Sequence, residues 1–276
     1  AEAQSPQSRL MLVRWLAASW RFDEAEAALG TISSEEVALE GANAVAQAYE
    51  SAGRLDEAIP LYEKALADRA RVLGDEHPDT LISRGNLAGA YYAAGRLGEA
   101  IPLFEGVLAD HVRILGDEHP DTLISRNNVA GAYESAGRLG EAIPLFEEVL
   151  ADRVRVLGDE HPDTLTSRNN LAGAYRAAGR LGEAIPLFEG VLADHVRILG
   201  DEHPDTLISR GNLAGAYYAA GRLGEAIPLF EGVLADHVRI LGDEHPDTLI
   251  SRNNVAGAYE SAGRLGEAIP LFEEVL

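Results

Sequence analysis

The amino-acid sequence contains no cysteine among its 276 residues. This absence excludes disulfide bonds, thiolate metal sites and cysteine nucleophiles. It leaves the cellular compartment open and mildly favours the cytoplasm, which we take as the expected location.

Basic side chains are scarce, with 23 Lys and Arg against 45 Asp and Glu and a formal charge of −22. A polyanionic surface argues against nucleic acid or anionic lipid as the main partner, and it suits basic or neutral ligands. No apolar run approaches the roughly 20 residues that a membrane helix needs. The sequence begins at Ala1 without Met or a signal-like segment, so we expect a piece of a longer protein.

Sequence motifs of catalysis are missing as well. The chain has no Gly-x-Ser-x-Gly elbow, no phosphate-binding Gly-Lys-Ser/Thr loop and no His-Glu-x-x-His pair. Paired acids such as Glu147 and Glu148 are most simply interpreted as surface charge. We therefore expect neither an enzyme nor a bound cofactor.

What the sequence does contain is repetition. The motif Gly-Asp-Glu-His-Pro-Asp-Thr occurs five times at intervals of 42 residues, starting at Gly74, Gly116, Gly158, Gly200 and Gly242. Residues 74–150 recur letter for letter as residues 200–276, an offset of 126 residues. Such a period predicts a repeat architecture rather than separate subdomains.

The unit of residues 74–115 predicts two helices. Leu81, Leu87 and Tyr91 share one stripe at helical spacing, so we predict a first helix over residues 79–94, started by Pro78 and stopped by Gly95. A second apolar pattern runs from residue 97 to residue 115 and predicts a second helix. Its proline, at residue 102, lies near the helix start, where we expect a slight bend rather than a break.

Neither helix can bury its stripe alone, because the core is complete only when the next pair stacks on top. The predicted fold class is therefore all-α, a solenoid of antiparallel helix pairs, and the family resemblance described next implies that this solenoid is a right-handed superhelix. Small residues such as Ala88 and Ala100 allow close helix contact, and Tyr91 and Phe104 fill the space between pairs.

These residues resemble the tetratricopeptide repeat family. The family pattern of Leu, small, Tyr, Gly, Ala and Phe is matched by Leu87, Ala88, Tyr91, Gly95, Ala100 and Phe104. Arg84 stands where the family often has Trp, and the period exceeds the usual 34 residues or so. The linking motif is similar to the longer repeats of the kinesin light chain type, which are also found in bacterial regulators.

The resemblance covers about residues 34–276, with repeats at about 34–73, 74–115, 116–157, 158–199 and 200–241, and a truncated repeat at 242–276. Residues 1–33 depart from the pattern and are predicted to form an atypical capping helix pair, with a helix over residues 5–19. Trp15 and Trp20 are predicted to cover the open end of the stack. The alternative is that they dock onto a neighbouring domain.

The family architecture places the first helix of each pair on the concave surface, where a peptide is expected to bind. A recurring amide there can clamp an extended peptide backbone, as it does at the matching position in similar proteins. We predict that this ladder, with a spacing of about 10 Å, consists of Asn86, Asn128, Asn170, Asn212 and Asn254. The alternative is that these side chains only cap or bridge neighbouring helices.

Two further columns vary between repeats on the same helix, and they are the sequence candidates for selectivity. The first contains Gly85, Asn127, Asn169, Gly211 and Asn253. The second contains Tyr92, Glu134, Arg176, Tyr218 and Glu260. The alternative is drift at solvated positions.

Histidine and arginine also form columns. The link histidines, His77, His119, His161, His203 and His245, fit turn and helix-start chemistry, so no metal site is expected. The second-helix histidine is replaced by Arg153 in one copy, an exchange that a metal site does not normally tolerate. The arginine columns that start at Arg84 and Arg96 are expected to pair with Asp or Glu.

The leading hypothesis is a non-catalytic scaffold that binds a peptide or partner segment, with the partner unidentified. A narrower form is the sensor array of a bacterial signalling ATPase of the STAND type. The alternative is a structural repeat that self-associates end to end through the truncated last repeat, because heterologous contacts need not close.

Overall fold

The computed structural model describes residues 5–275, and for Glu36 the backbone alone. Residues 1–4 and Leu276, which fall at the outer limits of the predicted capping pair and of the last repeat, lie outside the described residues. Within the described part of the chain there are fourteen α-helices and no strand. The helices are α1 Pro6–Ala18, α2 Phe22–Leu29, α3 Glu35–Ser51, α4 Leu55–Leu73, α5 Pro78–Ala93, α6 Leu97–Leu115, α7 Pro120–Ser135, α8 Leu139–Leu157, α9 Pro162–Ala177, α10 Leu181–Leu199, α11 Pro204–Ala219, α12 Leu223–Leu241, α13 Pro246–Ser261 and α14 Leu265–Glu273.

In the five repeats from residue 74 onward, the first helix starts at the recurring Gly-Asp-Glu-His-Pro-Asp-Thr link. In α5 the ring nitrogen Nδ1 of His77 accepts a hydrogen bond from the backbone N–H of Asp79 at 3.2 Å, and Pro78 occupies the first turn. The carboxylate of Asp79 lies at the positive end of the helix dipole. The same cap recurs at the start of α7, α9, α11 and α13, which agrees with the predicted helix-start role of the link histidines.

Glycines end both helices. Gly95 follows α5 with φ of 70°, and Gly116 follows α6 with φ of 90° and ψ of 166°. A residue with a Cβ atom is strained at both positions. Between these stops α6 continues unbroken through Pro102, so the second helix extends over the predicted residues.

The chain divides into two compact units, residues 1–138 and residues 139–276. In the first unit each helix from α1 to α7 packs against the next, and α1 also packs against α3. In the second unit each helix from α8 to α14 packs against the next. Turns of a few residues join these helices, so neighbours run antiparallel and the predicted all-α class of repeated helix pairs is confirmed.

The core of each unit is the apolar stripe of every helix. In one repeat Leu87 and Ala88 of α5 face Ala100 and Phe104 of α6, and all four side chains are buried. Tyr91 is buried as well, and its hydroxyl donates a hydrogen bond to Glu63 of the preceding helix α4 at 2.6 Å. This bond ties one repeat to the next.

The arginine columns pair as expected. Arg84 of α5 binds Asp110 of α6 at 2.7 Å, while Arg96 binds Glu99 at 2.8 Å and lies over the ring of Tyr91. Burial raises the pKa of Asp110, but hydrogen bonds from Arg113 and Arg84 outweigh it and hold that pKa below its usual range. The two arginine columns therefore stabilise the helix pairs.

At the N-terminal end, α1 and α2 form the expected short pair, but the tryptophans do not close it. Leu10, Val13 and Leu16 are the buried residues of α1, whereas Trp15 is 56% and Trp20 is 63% exposed. Trp20 lies in the turn after α1 with φ of 60°, and its ring centre is 6.4 Å from that of Phe22. The prediction that Trp15 and Trp20 cover the stack is therefore wrong, and the assignment of residues 1–33 as a cap stays a proposal.

No helix among residues 5–275 combines the length and the apolar character required to cross a membrane.

Candidate peptide-binding groove

The predicted binding residues all lie on the first helices of the pairs. Asn86 and Tyr92 are on α5, and the other columns follow on α7, α9, α11 and α13 at the same positions. Each of these helices has its buried stripe on one side, so its remaining residues are available to line a groove.

The second unit contains a cavity of about 830 Å³ between α11, α12 and α13. Four of the predicted residues line it, namely Asn212, Asn254, Arg176 and Tyr218. Gly211, from the first varying column, lies on its wall. The cavity therefore brings together members of all three predicted columns.

The first unit contains a corresponding cavity of about 640 Å³ between α5, α6 and α7. Asn86 and Asn128 line it together with Gly85, whereas Tyr92 does not. A third cavity, of about 410 Å³, lies in the second unit beside Asn169 of α9. The remaining predicted residues do not line these three cavities: Asn127, Asn170, Asn253, Glu134 and Glu260.

The walls of the cavities are mainly aliphatic, and sequence reasoning missed most of these residues. Ile82 of α5, Ile114 of α6 and Ile124 of α7 line the first-unit cavity, and all three are exposed. Ile114 belongs to the apolar pattern of residues 97–115, but it lies in the last turn of α6, beyond the buried residues of that helix. Ile82 could have been recognised from the sequence, because it is an apolar residue on the polar side of the first helix and recurs as Ile208.

The ladder asparagines are in two different states. The side-chain amide of Asn86 donates to Oδ1 of Asn43 in α3 at 3.1 Å, and that of Asn212 donates to Oδ1 of Asn169 in α9 at 3.0 Å. These two side chains therefore bridge neighbouring repeats, as the alternative interpretation anticipated. Asn128 and Asn254 are exposed, and among residues 5–275 neither side-chain amide has a hydrogen-bond partner.

The difference follows from the residue that stands 43 positions earlier. Asn43 precedes Asn86 and Asn169 precedes Asn212, whereas Gly85 precedes Asn128 and Gly211 precedes Asn254. Glycine has no side-chain oxygen to accept the bond. The first varying column thus determines whether the ladder amide of the next repeat is occupied.

The second varying column also makes contacts between repeats. The hydroxyl of Tyr92 lies 2.7 Å from Oγ of Ser135, and the same distance separates Tyr218 from Ser261. The guanidinium of Arg176 lies over the ring of Phe188, with its carbon 5.8 Å from the ring centre. Tyr92 and Tyr218 remain about two-fifths exposed, so their ring faces are accessible.

The rims of both large cavities carry carboxylates. In the first unit Glu76 binds Arg113 at 3.1 Å, and Asp121 lies 3.7 Å from Nδ1 of His119. His111 is bound to Oγ of Ser125 at 2.8 Å across the cavity floor. Glu202 and Asp247 repeat the carboxylate pattern in the second unit.

No group of three or more His, Asp or Glu side chains among residues 5–275 is arranged to hold a metal ion. The second-helix histidines bind serine instead, and Arg153 makes the same contact with Ser167 at 2.8 Å. A shared hydrogen bond therefore accounts for the exchange of His and Arg at this position.

Comparison with known proteins identifies the repeats. The pattern of the tetratricopeptide repeat family matches residues 37–109, 84–153, 127–193, 164–236 and 211–276. No match was found among the curated proteins.

Several solved structures are similar. The nearly identical repeats of a kinesin light chain protein from Podosopora anserina are 41% identical, with a TM-score of 0.64, and the match covers 72% of this chain and 95% of that one. A STAND protein with a tetratricopeptide repeat sensor, from Pyrococcus horikoshii, is 16% identical with a TM-score of 0.69, and the match covers 98% of this chain and 43% of that one. The second likeness concerns the fold alone. With the family pattern matched from residue 37 to residue 276 and this identity to kinesin light chain repeats, the chain belongs to the tetratricopeptide repeat family.

Proposed function

We propose that the protein is a non-catalytic interaction scaffold that binds an extended peptide or partner segment along its first helices. The observation that carries this proposal is the pair of cavities in which Asn128 and Asn254 present unoccupied amides beside aliphatic walls. An amide offers both a donor and an acceptor to a peptide backbone, and the walls offer apolar contact. The scaffold proposal is also supported by membership of the tetratricopeptide repeat family, whose members generally bind protein partners.

The charge of the protein defines the preferred partner further. With a formal charge of −22, the protein favours basic over acidic segments at low ionic strength. The association rate with a basic peptide should therefore fall as salt is added, since salt screens the attraction.

A peptide library displayed on phage provides the test, since the natural ligand is unknown. Peptides selected on the wild-type protein are measured by fluorescence anisotropy on the double variant Asn128→Ala/Asn254→Ala and on the triple variant Tyr92→Ala/Arg176→Ala/Tyr218→Ala. We expect each variant to weaken binding by more than tenfold. Lys64→Ala, at an exposed position of α4, serves as the control and should bind normally. Unchanged binding by both groove variants would reject the groove assignment.

The narrower proposal is that the array is the sensor of a larger signalling ATPase of the STAND type. The similar archaeal protein described in those terms supports this at the level of the fold. In a longer protein with a nucleotide-binding domain, a selected peptide should change the rate of ATP hydrolysis.

The alternative proposal is association end to end. Ile269 of α14 is 53% exposed, whereas Ile227, at the same position of the preceding repeat, is 7% exposed. Light scattering against protein concentration distinguishes the two proposals: a mass that keeps growing with concentration favours the structural repeat, and a constant mass favours the scaffold.

A further inference from the structure

We propose that the protein has two equivalent pockets, one in each unit, each of which takes one bulky aliphatic or aromatic side chain that is flanked by cationic groups. Of the three cavities described, the two larger ones lie where the first varying column holds glycine. This inference rests on the proposed peptide-binding function, and it specifies both the ligand class and the number of sites.

The two cavities are built from the same residues. Every residue that lines the cavity of the first unit has an identical counterpart 126 residues later in the cavity of the second unit. The second cavity is larger because Arg176, Gly215, Tyr218 and Phe230 extend it. Two sites with the same wall chemistry should bind the same chemical group.

Glycine at residues 85 and 211 keeps these cavities open. Apart from the adjoining residues and backbone of its own helix, no atom of residues 5–275 lies within 4 Å of a Cβ atom built on either glycine, so a side chain has room there. Where the column holds Asn169, the neighbouring cavity is about 410 Å³. Oδ1 of Asn169 there accepts a hydrogen bond from the side-chain amide of Asn212. Asparagine in this column thus fills space and removes a donor, whereas glycine does neither.

Glycine inside a helix costs about 0.5–1 kcal/mol relative to alanine. Gly85 lies in the middle of α5 and Gly211 in the middle of α11. No close approach of another chain segment requires either glycine, since nothing lies within 4 Å of the built Cβ. Both glycines line the cavities, so the lack of a side chain leaves that space open.

The wall composition and the rim charge select the ligand. Exposed isoleucines, Ile82, Ile114 and Ile124 in the first unit, form an apolar surface that water covers unfavourably. Volumes of about 640 and 830 Å³ lie within the range of sites that bury most of a small ligand. On the rim, the one basic group paired with Asp121 or Asp247 among residues 5–275 is a neighbouring histidine, so these carboxylates favour cations beside the apolar side chain.

The test uses the N-acetylated and C-amidated tripeptide Arg-Leu-Arg as the probe, with Arg-Ala-Arg and Glu-Leu-Glu as matched controls. Isoleucine δ1-methyl NMR follows the titration, because Ile114 lines only the first-unit cavity and Ile240 only the larger second-unit cavity among the three cavities described. We expect Arg-Leu-Arg to shift both methyl groups with similar affinity, and each control peptide to bind at least tenfold more weakly.

Gly85→Asn should abolish the shift at Ile114 and leave that at Ile240, and Gly211→Asn should do the reverse. Both substitutions copy the residue that other repeats already hold, so the variants should fold, which circular dichroism checks. Gly85→Ala/Gly211→Ala adds only a Cβ atom into empty space and should retain both sites.

The proposal is overturned if Arg-Ala-Arg binds as well as Arg-Leu-Arg, if only one of the two methyl groups responds, or if the asparagine variants bind the probe normally. In each of these cases, if phage-selected peptides still bind the wild-type protein, the two-pocket proposal is wrong but the proposed scaffold function is retained. A wild-type protein that binds no selected peptide overturns the scaffold function itself.

Discussion

Single residues decide how otherwise identical repeats differ in chemistry. At residues 85 and 211 the first varying column holds glycine, where other repeats hold asparagine. The helices α5 and α11 are continuous there, and among residues 5–275 the side-chain amides of Asn128 and Asn254 have no hydrogen-bond partner. The column was visible in the sequence as a variable position. Its partner was not, because the bond joins residues 43 apart, one more than the repeat period, and that offset follows from the register between packed helices.

The tyrosines that tie repeats together predict a loss of stability in alkaline solution. The hydrogen bond to Glu189 and burial raise the pKa of Tyr217 to about 12, and burial with a hydrogen bond to Glu147 raises the pKa of Tyr175 to about 12. In the unfolded chain a tyrosine titrates near pH 10. The folded protein therefore binds more protons than the unfolded chain between about pH 10 and pH 12, and the free energy of unfolding falls as the pH rises through this window.

The measurement is urea denaturation followed by circular dichroism at several values of pH from 8 to 12.5. Glu189→Ala should lower the pKa of Tyr217, detected by NMR of the Tyr ¹³Cζ atom, and should leave Tyr259 unchanged, because Tyr259 binds Glu231. Glu231→Ala should have the opposite selectivity. Equal shifts at both tyrosines in one variant would contradict the pairing.

At the scale of the helix, sequence patterns located the elements closely. The first helix was predicted over residues 79–94 and is Pro78–Ala93, because Pro, Asp and Gly act locally at its ends. The patterns did not predict whether a side chain is buried where burial depends on the neighbouring helices. Ile114 belongs to the apolar pattern of α6 but is exposed, and Trp15 of α1 is exposed as well.

The glycines at the two ends of α6, Gly98 and Gly116, should respond differently to alanine. Gly116 follows α6 in a backbone conformation with φ of 90° and ψ of 166°, so Gly116→Ala should destabilise the protein by about 1–3 kcal/mol. Gly98 lies in the first turn of α6 with no atom near its built Cβ, so Gly98→Ala should be neutral or stabilise by up to about 1 kcal/mol.

Thermal and urea midpoints of the two variants provide the comparison. A Gly116→Ala protein as stable as the wild type would mean that the link relaxes into another turn conformation.

At the scale of the whole molecule, stability comes from contacts between neighbouring helix pairs, so a helix with one neighbour should open first. The segments 139–150 and 265–276 have the same twelve residues. In the first segment Ile143 and Phe146 are buried, whereas in α14 Ala268 is the only buried residue. The same sequence thus occurs in two different environments within one protein.

Hydrogen exchange with mass spectrometry should therefore give two isotopic envelopes for this shared peptide. We expect the α14 copy to exchange at least tenfold faster, since fewer buried contacts oppose its opening. Gly266→Ala gives the second copy a distinct mass and assigns the fast envelope. A slow envelope on the mass-shifted peptide would show that contacts other than those of the core stripe protect α14.

The tie between successive pairs joins a tyrosine to a glutamate 28 residues before it, and it recurs from Tyr91–Glu63 to Tyr259–Glu231. This hydrogen bond is the same at each of these positions in the array. Inserting or deleting whole multiples of 42 residues therefore leaves each of these tyrosines with its glutamate partner. An in-frame duplication of 126 residues would add one more glycine-bearing recess. The number of ligand groups held by one chain can thus change by unequal recombination of the gene, without any new contact having to evolve.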